Sequence, residues 1–317
     1  MAKIDKERLY NIANVIAKRP SLKPFDFAEG EYPSIDNNIY HVLHYFFFWV
    51  LMEWGFWYLK GNKYEQPLYG SLDGKKLKGD NLLTALLSKK FLSDPYFFNL
   101  EHQTFMSWDT FVEMFSDDNG PVTNLASLKR YNMMNAMSLW FLNHNTPEQL
   151  LSEVNRRSRP LKEFRKVTKK IPGFDKDPLE KRSLLLAMVL NNRPEKFLRI
   201  SDGEELPAIV DYHLMRMVLR TGIVLPNSLE RYFLERRLLI PNVMIFFGEG
   251  IRRKTYDAVN LLPSLSDRDM STIDYALWEG RRYCPEMQKP DCAECIFDSV
   301  CAKEVDLFQP VYITDFF

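Results

Sequence analysis

The 317-residue chain has four cysteines, Cys284, Cys292, Cys295 and Cys301, all within 18 positions in the pattern C-x7-C-x2-C-x5-C. Four thiolates on one short loop can surround a single metal centre, each sulfur arriving from its own direction. A C-x2-C pair with two more thiols at short range suits an iron–sulfur cluster or a tetrahedral zinc site. Free or regulatory thiols are the plainer alternative. Two disulfides crowded into this segment would leave the large remainder of the chain unstapled.

A second chemical feature lies upstream. Asp211 follows Pro207-Ala-Ile-Val and opens an amphipathic stretch, so it sits where a helix begins. There the free backbone N–H groups and the helix dipole favour the charged carboxylate. Such a group can stabilise an oxocarbenium-like sugar cation or activate a water beside it. Capping the helix is the commoner use of an aspartate at this position. His213 shares a helix face with Arg216 and Met217. It can orient Asp211 or serve as a core histidine, and the other four histidines show no metal spacing.

The aromatic band Tyr45-Phe-Phe-Phe-Trp49, with Trp54, Trp57 and Tyr58 after it, offers rings that could stack on a nucleobase, although most rings in helical proteins are core. Trp54, Trp57 and Tyr58, near polar residues, are the better candidates. Arg252, Arg253 and Lys254 begin a helix and could hold a phosphate or form a solvated face.

The elements that must position these groups read mainly as helices. Apolar residues recur at helical spacing over Lys6–Lys18, Ile39–Trp57, Gly79–Leu87, Trp108–Phe115, Asn124–Leu142 and Pro147–Arg156. They do so again over Leu179–Leu190, Ala208–Arg220, Ser228–Arg237, Arg252–Leu262 and Ser271–Arg281. Gly61-Asn62 between aromatic flanks predicts one small hairpin within Trp57–Asp73. The polar stretch Asn155–Asp177 is the best boundary. It suggests an aromatic-rich part over 1–160, a helical core over 161–283 and a cysteine-bearing tail over 284–317.

Composition narrows the function classes. Hydrophobic residues at 46% and aromatics at 14% indicate a folded globular chain. Forty-two basic residues balance forty-two acidic ones, whereas non-specific nucleic-acid binders are normally basic. The N-terminal residues lack the apolar core of a secretion signal, and Val42–Met52 is too short to span a bilayer. A cytoplasmic protein without membrane contact is expected.

Two resemblances extend this reading. Val210-Asp-Tyr-His-Leu-Met-Arg216 resembles the V-D-x-H-x-x-R segment of the helix–hairpin–helix base-excision glycosylases, the endonuclease III superfamily. Gly280-Arg-Arg-Tyr-Cys284 through Cys301 resembles the start and body of that family's [4Fe–4S] loop, with one additional residue before Cys292. This likeness implies a helical glycosylase-like fold, a [4Fe–4S] cluster on the four cysteines and Asp211 as the catalytic aspartate. The family's paired-glycine hairpin, which lets backbone amides approach a DNA phosphate, has no counterpart in Asn191–Gly203. The missing hairpin and the neutral charge weigh against DNA as substrate; Lys196 is the only lysine near the place of the family's Schiff-base lysine, nothing supports that role for it, and no lyase activity is expected.

The second resemblance is to the queuosine salvage glycosylases, which release the deazaguanine base queuine from its nucleoside monophosphate. It rests on Trp57–Tyr64, Leu72–Asp80, Leu82–Leu87, Phe115–Pro121, Asp211–Leu219, Glu249-Gly-Ile-Arg252 and Ile273-Asp-Tyr-Ala-Leu-Trp278. It implies substrate contacts from Tyr212, Glu249, Arg252, Asp274 and Trp278, beside Trp54, Trp57 and Tyr58. The expectation is hydrolysis of an N-glycosidic bond to a purine-like base, with Asp211 and His213 in the catalytic centre and a structural cluster. A monofunctional DNA glycosylase and a non-catalytic iron–sulfur nucleic-acid-binding protein are the alternatives.

Overall fold

A computed structural model of the chain describes residues 1–19, 25–61, 63–238, 241–307 and 316, with the side chains of 63–64 and 241–247 left aside. Asn62 of the expected hairpin turn, and 308–315 and 317 of the expected tail, lie outside the described residues. Strand β1 (Lys3–Ile4) and helix α1 (Lys6–Ala17) lead to α2 (Ile39–Met52). Two hairpins follow, β2 (Trp57–Lys60) with β3 (Lys63–Pro67) and β4 (Tyr69–Leu72) with β5 (Lys75–Lys78). Helices α3 (Gly79–Ser93), α4 (Leu100–Phe105) and α5 (Trp108–Met114) precede the short pair β6 (Ser116–Asp117) and β7 (Gly120–Pro121). Then come α6 (Leu128–Asn143), α7 (Pro147–Asn155), α8 (Pro160–Thr168), α9 (Lys181–Asn192) and α10 (Tyr212–Thr221). Strand β8 (Val224–Leu225), α11 (Ser228–Arg236), α12 (Pro241–Val259), α13 (Leu262–Ser266) and α14 (Met270–Tyr283) complete the elements, and the cysteine segment follows α14. The mainly helical class is as expected, with all strands in two-stranded pairs. Among the described residues no helix is long and apolar enough to cross a membrane.

Helix α2 is the axis of the aromatic half. Asn38 caps it by accepting from the Tyr40 N–H, and ten of its fourteen residues are buried. Each buried Phe or Leu side chain contributes about 1.5–3 kcal/mol of transfer free energy. The helix ends at Met52, short of the expected Trp57, for a tertiary reason. The Met52 and Trp54 carbonyls accept from the Arg130 guanidinium, and the Glu53 carbonyl accepts from Lys181 Nζ at 2.8 Å. Gly55, at φ 69°, then turns the chain out toward β2. Carbonyls that a longer helix would have used internally are satisfied by distant cations instead.

The second hairpin was not anticipated, although its signal was in plain view. Asp73 and Gly74 both adopt left-handed conformations, at φ 51° and 75°, between the paired residues Leu72 and Lys75. Asp-Gly is a favoured two-residue turn for this geometry. The polar stretch 155–177 contains α8, which packs between α7 and α9. Helix α2 in turn packs on α9, so elements from either side of residue 160 share one hydrophobic core.

Helices α10 and α14 cross closely where the chain approaches the cysteines. A Cβ on Gly280 would stand 2.9 Å from Met217 Cε and 3.2 Å from Phe297, so a side chain there would push apart α14, α10 and the cysteine segment. The replacement Gly280→Val is expected to destabilise the fold by about 1–3 kcal/mol through overpacking, read as a lower denaturation midpoint at unchanged slope.

Candidate active site

Helix α10 is buried along its whole length. Asp211 caps it, its carboxylate accepting the Leu214 N–H at 2.9 Å, and Gly222 ends it in the left-handed conformation at φ 82°. The segment leading to Asp211 is clamped from α12. Arg252 donates to both oxygens of Asp177 at 2.7 Å and to the Val210 carbonyl at 3.3 Å. Burial works to raise the Asp177 carboxyl, but Arg252 and the N–H groups of Leu179 and Lys181 outweigh it and hold it below its ordinary value. Asn260 Oδ1 accepts the Ala208 N–H at 2.9 Å. Arg252 is thus a buried positioning group for the Asp211 turn.

Asp211 opens into a cavity of about 340 Å³. Three further carboxyls line it, Glu53 after α2, Asp80 at the start of α3 and Asp274 on α14, together with Lys181 at the first position of α9. Rings wall it, among them Phe27, Tyr32, Trp49, Tyr212, Tyr275 and Trp278. Arg282, exposed on α14 beside the Trp278 ring, also lines it.

The electrostatics of this cavity separate the carboxyls. Asp274 is pushed up to about 8, first by loss of solvation and then by the negative charge of Asp211, with Lys181 working the other way. Burial also raises Asp211, against which the Leu214 N–H, Lys181, Arg281 and Arg216 favour its charged form. Loss of solvation pushes Glu53 up to about 8, with Lys181 opposing it. Lys181 is lowered by its own burial, while Glu53 and Asp211 work to keep it charged. A lysine at the positive end of a helix dipole is placed against the usual preference, so Asp211 and Glu53 are what make its position tolerable. Two carboxyls lining one cavity, with the charge of Asp211 helping to raise Asp274, are the arrangement needed for paired acid and base roles.

Of the expected site residues, Asp211, Tyr212, His213, Asp274 and Trp278 meet at this cavity. His213 packs tilted against Tyr212, the ring centroids 4.0 Å apart and the planes at 42°, and its Nδ1 lies 3.6 Å from Glu286 Oε1, too far for a hydrogen bond. Burial, then the positive charges of Arg281, Arg216 and Lys78, lower it well below the ordinary histidine value, so the ring is neutral. Trp54, Trp57, Tyr58, Glu249 and Arg252 do not line the cavity. Trp54 is buried with the Arg130 guanidinium 4.1 Å from its ring centre. Trp57 packs edge-on against Tyr212 at 6.0 Å, supporting the wall from behind. Tyr58 pairs with Gln66 in the first hairpin, and Glu249 lies on α12, 3.8 Å from Arg252.

Sequence reasoning missed Glu53, Asp80, Lys181, Tyr32 and Arg282. Glu53 had a faint signal as the first charge after the apolar run of α2. The other four carry no local mark, because each reaches the cavity from a separate element. Within the aromatic band it is Trp49, not Trp54, that faces the cavity.

The four cysteines line one small cavity of about 20 Å³ with Met217, Arg220 and Thr221 of α10. Arg220 Nη1 donates to Cys284 Sγ at 3.3 Å, and the Lys303 N–H donates to Cys301 Sγ at 3.3 Å. Arg220 also binds the carbonyls of Pro285, Glu286 and Leu307 at 2.7, 3.0 and 3.1 Å. Burial raises the Cys295 and Cys301 thiols, and the neighbouring cysteines add to the rise, which puts all four within electrostatic reach of one another. Among the described residues no three or more His, Cys, Asp or Glu side chains are gathered into a group that could hold a single metal ion. In kind, an all-sulfur set with N–H donors aimed at its sulfurs fits an iron–sulfur group.

No protein-family model matches the chain, and no curated protein matches it. Residues and geometry therefore carry the functional reading. Anaerobically purified protein is expected to be brown and to contain iron and acid-labile sulfide, with Cys292→Ala losing most of both. Stoichiometric zinc without sulfide would instead identify a zinc site.

Proposed function

We propose that this protein hydrolyses the N-glycosidic bond of a nucleoside or nucleotide carrying a purine-like base, a deazaguanine being the leading example. The observation that carries the proposal is the pair of carboxyls, Asp211 and Asp274, that line one ring-walled cavity, where the charge of Asp211 adds to the burial that raises Asp274. A cavity of about 340 Å³ suits a nucleoside-sized ligand, which supports a small substrate over duplex DNA.

The chemistry follows from those positions. The base lies among the rings with its C1′ beside Asp211. As the C1′–N bond breaks, Asp274, held as the acid, gives its proton to the departing nitrogen. The Asp211 carboxylate stabilises the oxocarbenium-like sugar cation and takes a proton from the water whose oxygen bonds to C1′. The Leu214 N–H and Lys181 favour the charged form of Asp211 against its burial. The cysteines would hold a [4Fe–4S] centre, which supplies a covalent tie between the end of α14 and the loop beyond it.

The test is incubation with queuosine 5′-phosphate, other purine nucleotides and lesion-bearing duplex DNA, followed by measurement of free base. Release from a nucleotide is expected, with Asp211→Asn slowing it by about a hundredfold or more while folding normally. Release from DNA alone would replace the small-molecule reading, and undiminished release by Asp211→Asn would remove Asp211 from the chemistry.

The pH profile gives a second check. Because Asp274 acts in its protonated form, kcat is expected to fall as pH rises through about 8. Asp274→Asn should lose this alkaline limb along with most of the rate. A rate still rising above that pH would assign Asp274 no acid role.

A further inference from the structure

Two further carboxyls of the cavity, Glu53 and Asp80, have no part in that chemistry. They line the cavity with Tyr32 and Trp49, whose ring centres lie 5.6 Å apart. Glu53 is 7% exposed, and its Oε1 has no hydrogen-bond partner although the residue lines the cavity. Its backbone carbonyl is already taken by Lys181 Nζ at 2.8 Å, so the side chain alone is left to act. A buried acceptor is costly when unpaired, and an orphan facing a cavity calls for a donor on whatever enters.

We propose that Glu53 is the specificity-determining residue for the base, accepting two parallel N–H groups from its edge: the ring N1–H and the exocyclic 2-amino group of a 2-amino-6-oxopurine or its deaza analogue. The inference rests on the cavity being the base-binding site proposed above. Planar rings on the cavity wall suit a flat heterocycle, and two side-by-side N–H donors match the two oxygens of one carboxylate, their hydrogen bonds joining Lys181 in favouring the charged form against the burial that raises Glu53. Asp80, 3.6 Å from Arg281, lines the same cavity as a further acceptor. An adenine-type edge turns a ring acceptor toward Glu53, and a hypoxanthine-type edge lacks the second donor. Either would leave an oxygen of Glu53 unpaired, which is how a built polar site rejects a near-isostere.

The experiment is calorimetric binding of free 7-deazaguanine, 7-deazahypoxanthine and 7-deazaadenine to the purified full chain and to Glu53→Gln. The wild type is expected to prefer 7-deazaguanine to 7-deazahypoxanthine by about tenfold or more, and Glu53→Gln to lose that preference. Equal affinity of the wild type for the two bases, or an undiminished preference in the variant, would overturn the proposal. Circular dichroism checks the fold. Should Glu53→Gln not fold, Glu53→Asp withdraws the carboxylate by one methylene and must weaken the preference, an unchanged preference again overturning the proposal. A Glu53-dependent preference without base release from any nucleotide would end the hydrolase reading and leave the recognition standing. Base release without such a preference would do the reverse.

Discussion

The structure turns on the cost of burying helix α10 with its charges. Arg216 and Arg220 are both nearly inaccessible to solvent, and a buried guanidinium without partners is strongly destabilising. Their partners come from the cysteine segment and the residues just after it. Arg220 spends its donors on three carbonyls and a cysteine sulfur, and Arg216 meets Glu286 at 2.9 Å. Glu286 is held down to about 2, since Arg216 and Lys78 overcome the burial that would raise it. The helix that presents Asp211 therefore cannot be satisfied until the far end of the chain has folded over it.

That dependence joins two places that look separate along the chain. One end of α10 carries Asp211 into the cavity, and the other end backs onto the sulfurs. Lys78, at the close of the second hairpin, reaches the same Glu286, so the aromatic half is tied in as well. Gly280 and Gly222 allow the approach. The first leaves room for Met217 and Phe297, and the second ends α10 where a Cβ would meet Ala302 at 2.7 Å. A centre bound by the four cysteines would stiffen this junction without touching the cavity.

The cavity itself is an accumulation of buried charge. Four carboxyls and one lysine share a space with few hydrogen bonds of their own, an expensive arrangement for stability alone. Costs of this kind concentrate where a ligand or a reaction makes use of them. The contrast with Arg252 is instructive. There the charge is fully matched, with two carboxylate oxygens and a carbonyl, and it holds a turn in place.

By itself the sequence determined the helical class, the hairpin at Gly61, the cysteine set and the capping role of Asp211, because each depends on neighbours in the chain. It also carried the Asp-Gly turn of the second hairpin, which went unread. It misjudged where α2 ends, since that boundary is drawn by Arg130 and Lys181 from other elements. Trp54 and Trp57 looked as available as Trp49, and only packing decided that Trp49 faces the cavity while Trp57 supports it from behind. Glu53, Asp80 and Lys181 became a group only in the tertiary structure. Desolvation and through-space charge, which shift their protonation, have no period or spacing in the sequence.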